Sequence, residues 1–265
     1  MAIGAWRNDG NGSGSGHVRV FKLNGSVWTQ RGLDIDGETQ IDRSESSVSL
    51  SSDGTVMAIG APFNDGNGDI SGHVRVFKWN GNVWNQRGLE IDGEAAEDHS
   101  GSSVSLSLDA SVVAIGAVGN DGNGDSSGHV RVFKWNGNQW IQRGLDIDGD
   151  AGLTVNCESI GDGSGRSVSL SSDGTVMAIG ADENDGNGEN SSGHVRLYRW
   201  NGSVWTQRRL DIDGEAQIDQ SGFSVSLSSD GTVVAIGAWR NDGNGSDSGH
   251  VRVFTFGKFT VIIER

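Results

Sequence analysis

Residues 64–77 read NDGNGDISGHVRVF. The first half sets acids and amides against glycine, and the second alternates valine with polar residues. The phrase is not unique. NDGNG begins at Asn8, Asn64, Asn120, Asn184 and Asn241, and GHVR follows each time with His17, His73, His129, His194 and His250. The histidines lie 56, 56, 65 and 56 residues apart. Self-similarity at so long a period marks a repeat architecture. The longer interval has a visible cause: AGLTVNCESI, Ala151 to Ile160, carries an insertion, and one further residue enters at Glu189 to Ser192.

Each repeat divides into four runs with the alternation of strands. In the second these are SSVSLSS (Ser46–Ser52), TVMAIGA (Thr55–Ala61), GHVRVFKW (Gly72–Trp79) and NVWNQRGLEI (Asn82–Ile91). They are rich in β-branched and aromatic residues. Asp53-Gly54 joins the first two runs and Asn80-Gly81 the last two, and both dipeptides predict tight type I′ hairpins. The expectation is an all-β fold: a β-propeller of four-stranded antiparallel blades in a single domain spanning 1–265. The repeats run 1–45 (partial), 46–101, 102–165, 166–221 and 222–265. The small serine-valine run suits the crowded axis, and the run bearing Trp28, Trp84, Trp140 or Trp205 suits the rim, where tryptophan packs between blades. The first repeat lacks its inner strand, MAIGA matching the second strand of the next, and FTVIIE (Phe259–Glu264) departs from the pattern. A truncated six- or seven-bladed propeller and a closed five-bladed one both fit.

Composition narrows the class. There are 43 glycines, one proline and only 34% apolar residues, yet the apolar residues fall in periodic blocks, which indicates a folded repeat and not disorder. A net charge of −15 argues against nucleic acid as a partner. The lone Cys157 excludes an intrachain disulfide. No apolar run reaches the length of a membrane span, and the first residues lack the basic and apolar parts of a signal peptide.

The unit D-x-S-G-x-S-V-S-L-S-x-D-G-x-x-x-A-I-G-A, seen as DHSGSSVSLSLDASVVAIGA from Asp98 and DQSGFSVSLSSDGTVVAIGA from Asp219, resembles the FG-GAP repeat of the integrin α-subunit propeller. The GAP triplet is literal at Gly60-Ala61-Pro62; Val118, Asp182 and Trp239 replace the proline elsewhere, and serine replaces the phenylalanine (Ser100, Ser164, Ser221). The resemblance implies an extracellular or cell-surface adhesion or recognition propeller, with a protein or polysaccharide ligand on one face. The family's calcium loop lies between the first and second strands, where this chain has only SSDGT or its variants, so that site does not carry over.

The acidic loop falls instead between the second and third strands. Asp65, Asn67, Asp69 and Ser71 place oxygens at every second residue, as do Asp121, Asn123, Asp125 and Ser127, and in part Asp185, Asn187 and Glu189. Such spacing lets a curled loop point oxygens at Ca²⁺, and it equally describes a simple turn. The first and last loops (Asp9, Asn11, Ser13; Asp242, Asn244, Ser246) lack the third acid. Because the blades are near-identical, no distinct catalytic set stands out, and the expectation is that the chain is not an enzyme. The repeated histidines are expected to make local hydrogen bonds, and the arginines at Arg19, Arg75, Arg131, Arg196 and Arg252 to pair with acids of a neighbouring blade. The L-D-I-D-G-E segments, Leu33–Glu38 and Leu210–Glu215, read as solvated links. Asn11, Asn24, Asn190, Asn201 and Asn244 begin glycosylation sequons. A purely structural segment of a larger surface protein and a glycan-active propeller enzyme are the alternatives.

Overall fold

The computed structural model describes residues 1–39, 42, 46–150, 161–185 and 190–257, with the backbone of 154–155 and 158–159. The described residues form strands and turns without helix, and none is part of a helix long and apolar enough to cross a membrane. The second blade runs Ser47–Leu50, Val56–Ala61, His73–Trp79 and Trp84–Gln86, each strand antiparallel to the one before. The third and fourth blades repeat this order from Ser100 and Ser167. The first begins with Ala2–Gly4, in the place of a second strand, and the fifth ends its described part with His250–Thr255. The predicted closing strand at Phe259–Glu264 lies outside the described residues. So does most of the insertion, of which the backbone shows one short hairpin, Thr154–Val155 with Glu158–Ser159, pairing only with itself.

Two local expectations change. The outer run does not continue as one strand from Asn82 to Ile91. After Gln86 it bulges at Gly88 and Leu89, then Ile91–Asp92 rejoins the third strand opposite Val74 and His73. Gly88 has a φ of 87°, and a Cβ there would meet Trp135 of the next blade at 2.8 Å. The bulge therefore receives the neighbour's tryptophans, and Trp140 Nε1 donates to Arg87 O at 2.9 Å, as Trp84 Nε1 does to Arg31 O. Trp84, Trp140 and Trp205 pack between blades as expected, whereas Trp28 in the first blade is 50% exposed. The hairpins are not type I′ either: at Asn80-Gly81 only the glycine takes positive φ (105°), and the Asn80 carboxamide oxygen caps the backbone N–H groups of Asn82 and Val83.

Serine does more at the inner strand than save space. Ser49, Ser105 and Ser169 Oγ accept from the backbone N–H of Leu106, Leu170 and Leu227 in the following blade, each at 3.0 Å. Ser47, Ser103 and Ser167 Oγ donate to Gly101, Gly165 and Gly222 O at 2.7 Å. The inner edge, which would otherwise leave backbone groups unpaired, is thus satisfied between blades. The blades approach so closely that a Cβ on Gly116 would stand 2.1 Å from Gly165 O. This accounts for the paired glycines of the A-I-G-A and D-x-S-G motifs.

The core lies between blades. One face of the second blade (Val56, Ala58, Val74, Val76) closes on Val104, Leu106, Val113 and Ile115 of the third, and equivalent residues fill the other seams. On the faces that no described blade covers, Val251 is 68% and Ile3 46% exposed, where their equivalents Val74 and Ile59 are buried.

Candidate functional site

The predicted cation loops are closed by their own hydrogen bonds. Asn64 Oδ1 accepts from the Gly66 N–H, Asp65 Oδ1 from Ile70, and buried Ser71 Oγ accepts from Asn67 while donating to Asn64 O. Asn67 Nδ2 reaches Gly93 O at 2.8 Å and so ties the loop to the outer link. Asp121, Asn123 and Ser127 repeat the pattern, and Asp185 Oδ1 accepts from Ser191. Asp65, Asn67, Asp69, Asp121, Asn123 and Asp125 are exposed. Asn187 and Glu189 lie outside the described residues.

The repeated histidines do not make the expected hydrogen bonds. His73 and His129 are buried and their Nε2 atoms have no partner, while Nδ1 stands 3.8 Å from Glu90 and 4.0 Å from Glu94 respectively. Burial, reinforced by the Arg75 charge, pushes the His73 imidazole down to about 4, so it is neutral at pH 7. Four of the five arginines behave as expected: Arg75 pairs with Glu38 of the preceding link at 3.3 Å, Arg131 with Glu94 at 3.4 Å and Arg252 with Glu215 at 3.8 Å, and Arg196 pairs with Asp150. Arg19 does not, since it pairs with Asp34 of its own blade at 2.9 Å. The L-D-I-D-G-E links are therefore pinned rather than solvated: Ile35 and Ile212 pair with third strands, and Glu38 and Glu215 hold the next blade's arginine. Among the described residues three groups bring one histidine and two acids within 4.8 Å and could hold a metal ion: Glu38–His73–Glu90, Glu94–His129–Asp146 and Asp150–His194–Asp211.

A different set of residues lines an open cavity of about 360 Å³ spanning the third to fifth blades. Apart from Ser126 of an acidic loop, its walls come from two places in the repeat: the pair that follows A-I-G-A, and the variable positions of D-x-S-G-x. In the former, Trp6-Arg7, Pro62-Phe63, Val118-Gly119, Asp182-Glu183 and Trp239-Arg240 occupy equivalent places. In the latter stand His99, Gly163 and Gln220, and after the glycine Arg166 and Phe223. Five of these side chains form a continuous ladder. Asp182 Oδ2 lies 3.8 Å from Arg166 Nε, the Arg166 guanidinium covers the Phe223 ring at 4.7 Å, Phe223 meets Trp239 at 5.7 Å, and Arg240 covers Trp239 at 4.5 Å. Phe223 and Trp239 are 37% and 45% exposed, so each ring keeps surface open to a ligand beside the guanidinium that covers it. Asp182 is buried, and burial, with Glu183 alongside and Arg166 opposing, pushes its carboxyl up to about 6. Sequence reading missed this site, although its signal is present: these are the positions where otherwise near-identical repeats differ.

The family model for the FG-GAP repeat matches residues 89–133 and 205–254. No curated protein matches the chain. Solved structures that superpose on it include a putative 6-phosphogluconolactonase from Bacteroides uniformis (14% identity, TM-score 0.54, covering 92% of this chain and 61% of that one). The periplasmic gluconolactonase of Pseudomonas aeruginosa gives 15% identity and a TM-score of 0.56 over 89% of this chain and 61% of its own. Kuenenia stuttgartiensis hydrazine synthase gives 15% and 0.53, over 91% and 56%. The chain thus spans about three fifths of the length of the structures it matches, and at these identities the likeness shows the fold alone.

The expectation that this is not an enzyme is corrected. Proteins named as lactonases carry the same fold, and the premise of uniform blades fails at the pocket, whose lining differs from blade to blade. The chain carries FG-GAP repeats on a β-propeller fold.

Proposed function

We propose that this is the recognition propeller of an extracellular or cell-surface protein, and that it binds an acidic glycan residue in the cavity of the third to fifth blades. The observation that carries this reading is the open Phe223–Trp239 pair flanked by Arg166 and Arg240. An aromatic face accommodates the C–H face of a sugar ring, a guanidinium matches a carboxylate or sulfate bidentately, and Asp182 and Glu183 can take hydroxyl groups. Arg166 is already paired with Asp182, so Arg240, exposed at the same cavity in a chain of net charge −15, is the cation that favours a ligand carrying negative charge. Calcium belongs to this reading as a stabiliser of the exposed loops. The Asp69 and Asp125 carboxylates, with the second oxygens of Asp65 and Asp121, stay available in loops that already hold their own shape. A glycan array at physiological salt tests the proposal: uronic-acid or sulfated ligands are retained, and an array without a single acidic-glycan signal refutes it.

A second reading rests on Asp182. A carboxyl that titrates near pH 6 beside Glu183 can give or take a proton at neutral pH, which supports hydrolysis of a sugar lactone or ester in the same cavity. Incubating the protein with such compounds and following acid release distinguishes turnover from binding.

A further inference from the structure

The histidine seams lie apart from the cavity and take no part in the proposed recognition. In a folded protein a buried imidazole ordinarily finds a hydrogen-bond partner. His73 and His129 are 2% and 1% exposed, and their Nδ1 atoms face carboxylates across gaps too long for a hydrogen bond. The gaps are of a size that means something else. Two ligands each about 2.1 Å from one ion can stand up to about 4.2 Å apart. The measured separations are 3.8 Å for His73 Nδ1–Glu90 Oε2 and 4.0 Å for His129 Nδ1–Glu94 Oε2.

From this geometry we propose two divalent transition-metal sites, one built from His73, Glu90 and Glu38 and one from His129, Asp146 and Glu94. One imidazole nitrogen with two carboxylates is a mixed donor set, which suits zinc or manganese and not the all-oxygen preference of calcium. The carboxylates that complete the sites are partly exposed, with Glu38, Glu90 and Glu94 at 40%, 39% and 43%, so an ion can enter and the acids can close on it. Each ion would join a link from one blade to strands of the next and thereby clamp a seam.

The arginine decides which seams qualify. In the second blade Arg75 pairs with Glu38 and reaches Glu90 only by its charge, without an ion pair among the described residues; in the third Arg131 pairs with Glu94, and none to Asp146 is present among the described residues. Two carboxylates and one guanidinium leave a net negative site in each. In the fourth blade Arg196 Nη2 bonds both Asp150 and Asp211, so the guanidinium stands where an ion would. In the first, Arg19 likewise occupies Asp34, the acid beside His17. The His194 seam is therefore an internal control.

The test uses the whole chain, stripped with EDTA, dialysed, and titrated with zinc chloride by calorimetry. Two equivalents are expected. Glu90→Gln, at a partly exposed position that should not disturb folding, removes one or weakens it at least tenfold, and Asp146→Asn does the same for the other. Asp211→Asn leaves the stoichiometry at two. Absence of zinc binding overturns the proposal, as does a stoichiometry that Glu90→Gln and Asp146→Asn leave unchanged. His73→Ala adds a harsher check, read only if its circular dichroism matches the parent.

Discussion

Asp182 offers the sharpest perturbation, because a buried carboxyl in the wall of the cavity carries a pH-dependent cost in stability. Its carboxyl sits at about 6 against an ordinary 3.8, a rise of about two units caused first by burial, with Glu183 adding and Arg166 subtracting. At 1.36 kcal/mol per unit, ionising Asp182 in the folded state costs about 3 kcal/mol more than in the unfolded chain. The sign follows from linkage. A carboxyl whose folded value is raised contributes its full stability below about pH 3.8 and loses it as pH climbs through about 6. Asp182→Asn removes the charge while keeping the shape, so the variant should gain up to about 3 kcal/mol at pH 7.5, a rise in melting temperature of roughly 6–12 °C for a chain of this size. At pH 3, where the carboxyl is protonated in the folded parent and nearly so in the unfolded one, the two proteins should melt together. Asp162, raised to about 6 by burial too, is common to both and cancels in the comparison. The assay is differential scanning calorimetry at the two pH values, with glycan binding measured in parallel. A variant that is no more stable at pH 7.5, or equally stabilised at both pH values, refutes the reasoning. A variant more stable yet unimpaired in binding separates the electrostatics from the function.

Further outcomes follow from the seams and loops. Gly116→Ala forces a Cβ to 2.1 Å from Gly165 O and should cost about 3 kcal/mol by thermal denaturation; a loss under about 0.5 kcal/mol would show that the blades part easily there. Ser105→Ala strips the acceptor from the Leu170 N–H and should cost about 1–2 kcal/mol, whereas Ser203→Ala, at an exposed turn, should cost little. If the acidic loops hold calcium with dissociation constants of about 0.1–1 mM, a tenfold excess adds roughly 1.4 kcal/mol per site. Melting should then shift by several degrees with chelator, less in Asp65→Ala with Asp121→Ala, and an unmoved curve would leave the loops as turns.

What the sequence disclosed, and what it hid, follow from the physics of a repeat. The blades were legible because Asn-Gly and Asp-Gly punctuate alternating runs and because the period is repeated. The inner serines read as small, and so they are, but their bonds to Leu106 and Leu170 reach across a seam that no local pattern announces. The bulge at Gly88 escaped because it exists to receive Trp135 and Trp140, which lie some fifty residues on. GHVR predicts an ordinary hydrogen-bonding histidine at His73, since nothing in it says that the imidazole will be buried against Glu90. The cavity lies outside the repeated pattern: Asp182, Arg166, Phe223 and Trp239 matter by departing from it, and they meet only when the blades are set side by side.

The central claim is that this ladder of unlike residues forms the ligand site, and calorimetric titration of the best-retained acidic glycan against parent, Trp239→Ala and Trp28→Ala tests it most directly. Trp28, 50% exposed on the rim of the first blade, controls for loss of any exposed tryptophan. The expected result is at least a tenfold loss of affinity for Trp239→Ala, about the contribution of one stacked aromatic ring, with Trp28→Ala unchanged. Equal affinity in all three proteins, or equal loss in both variants, would contradict the account.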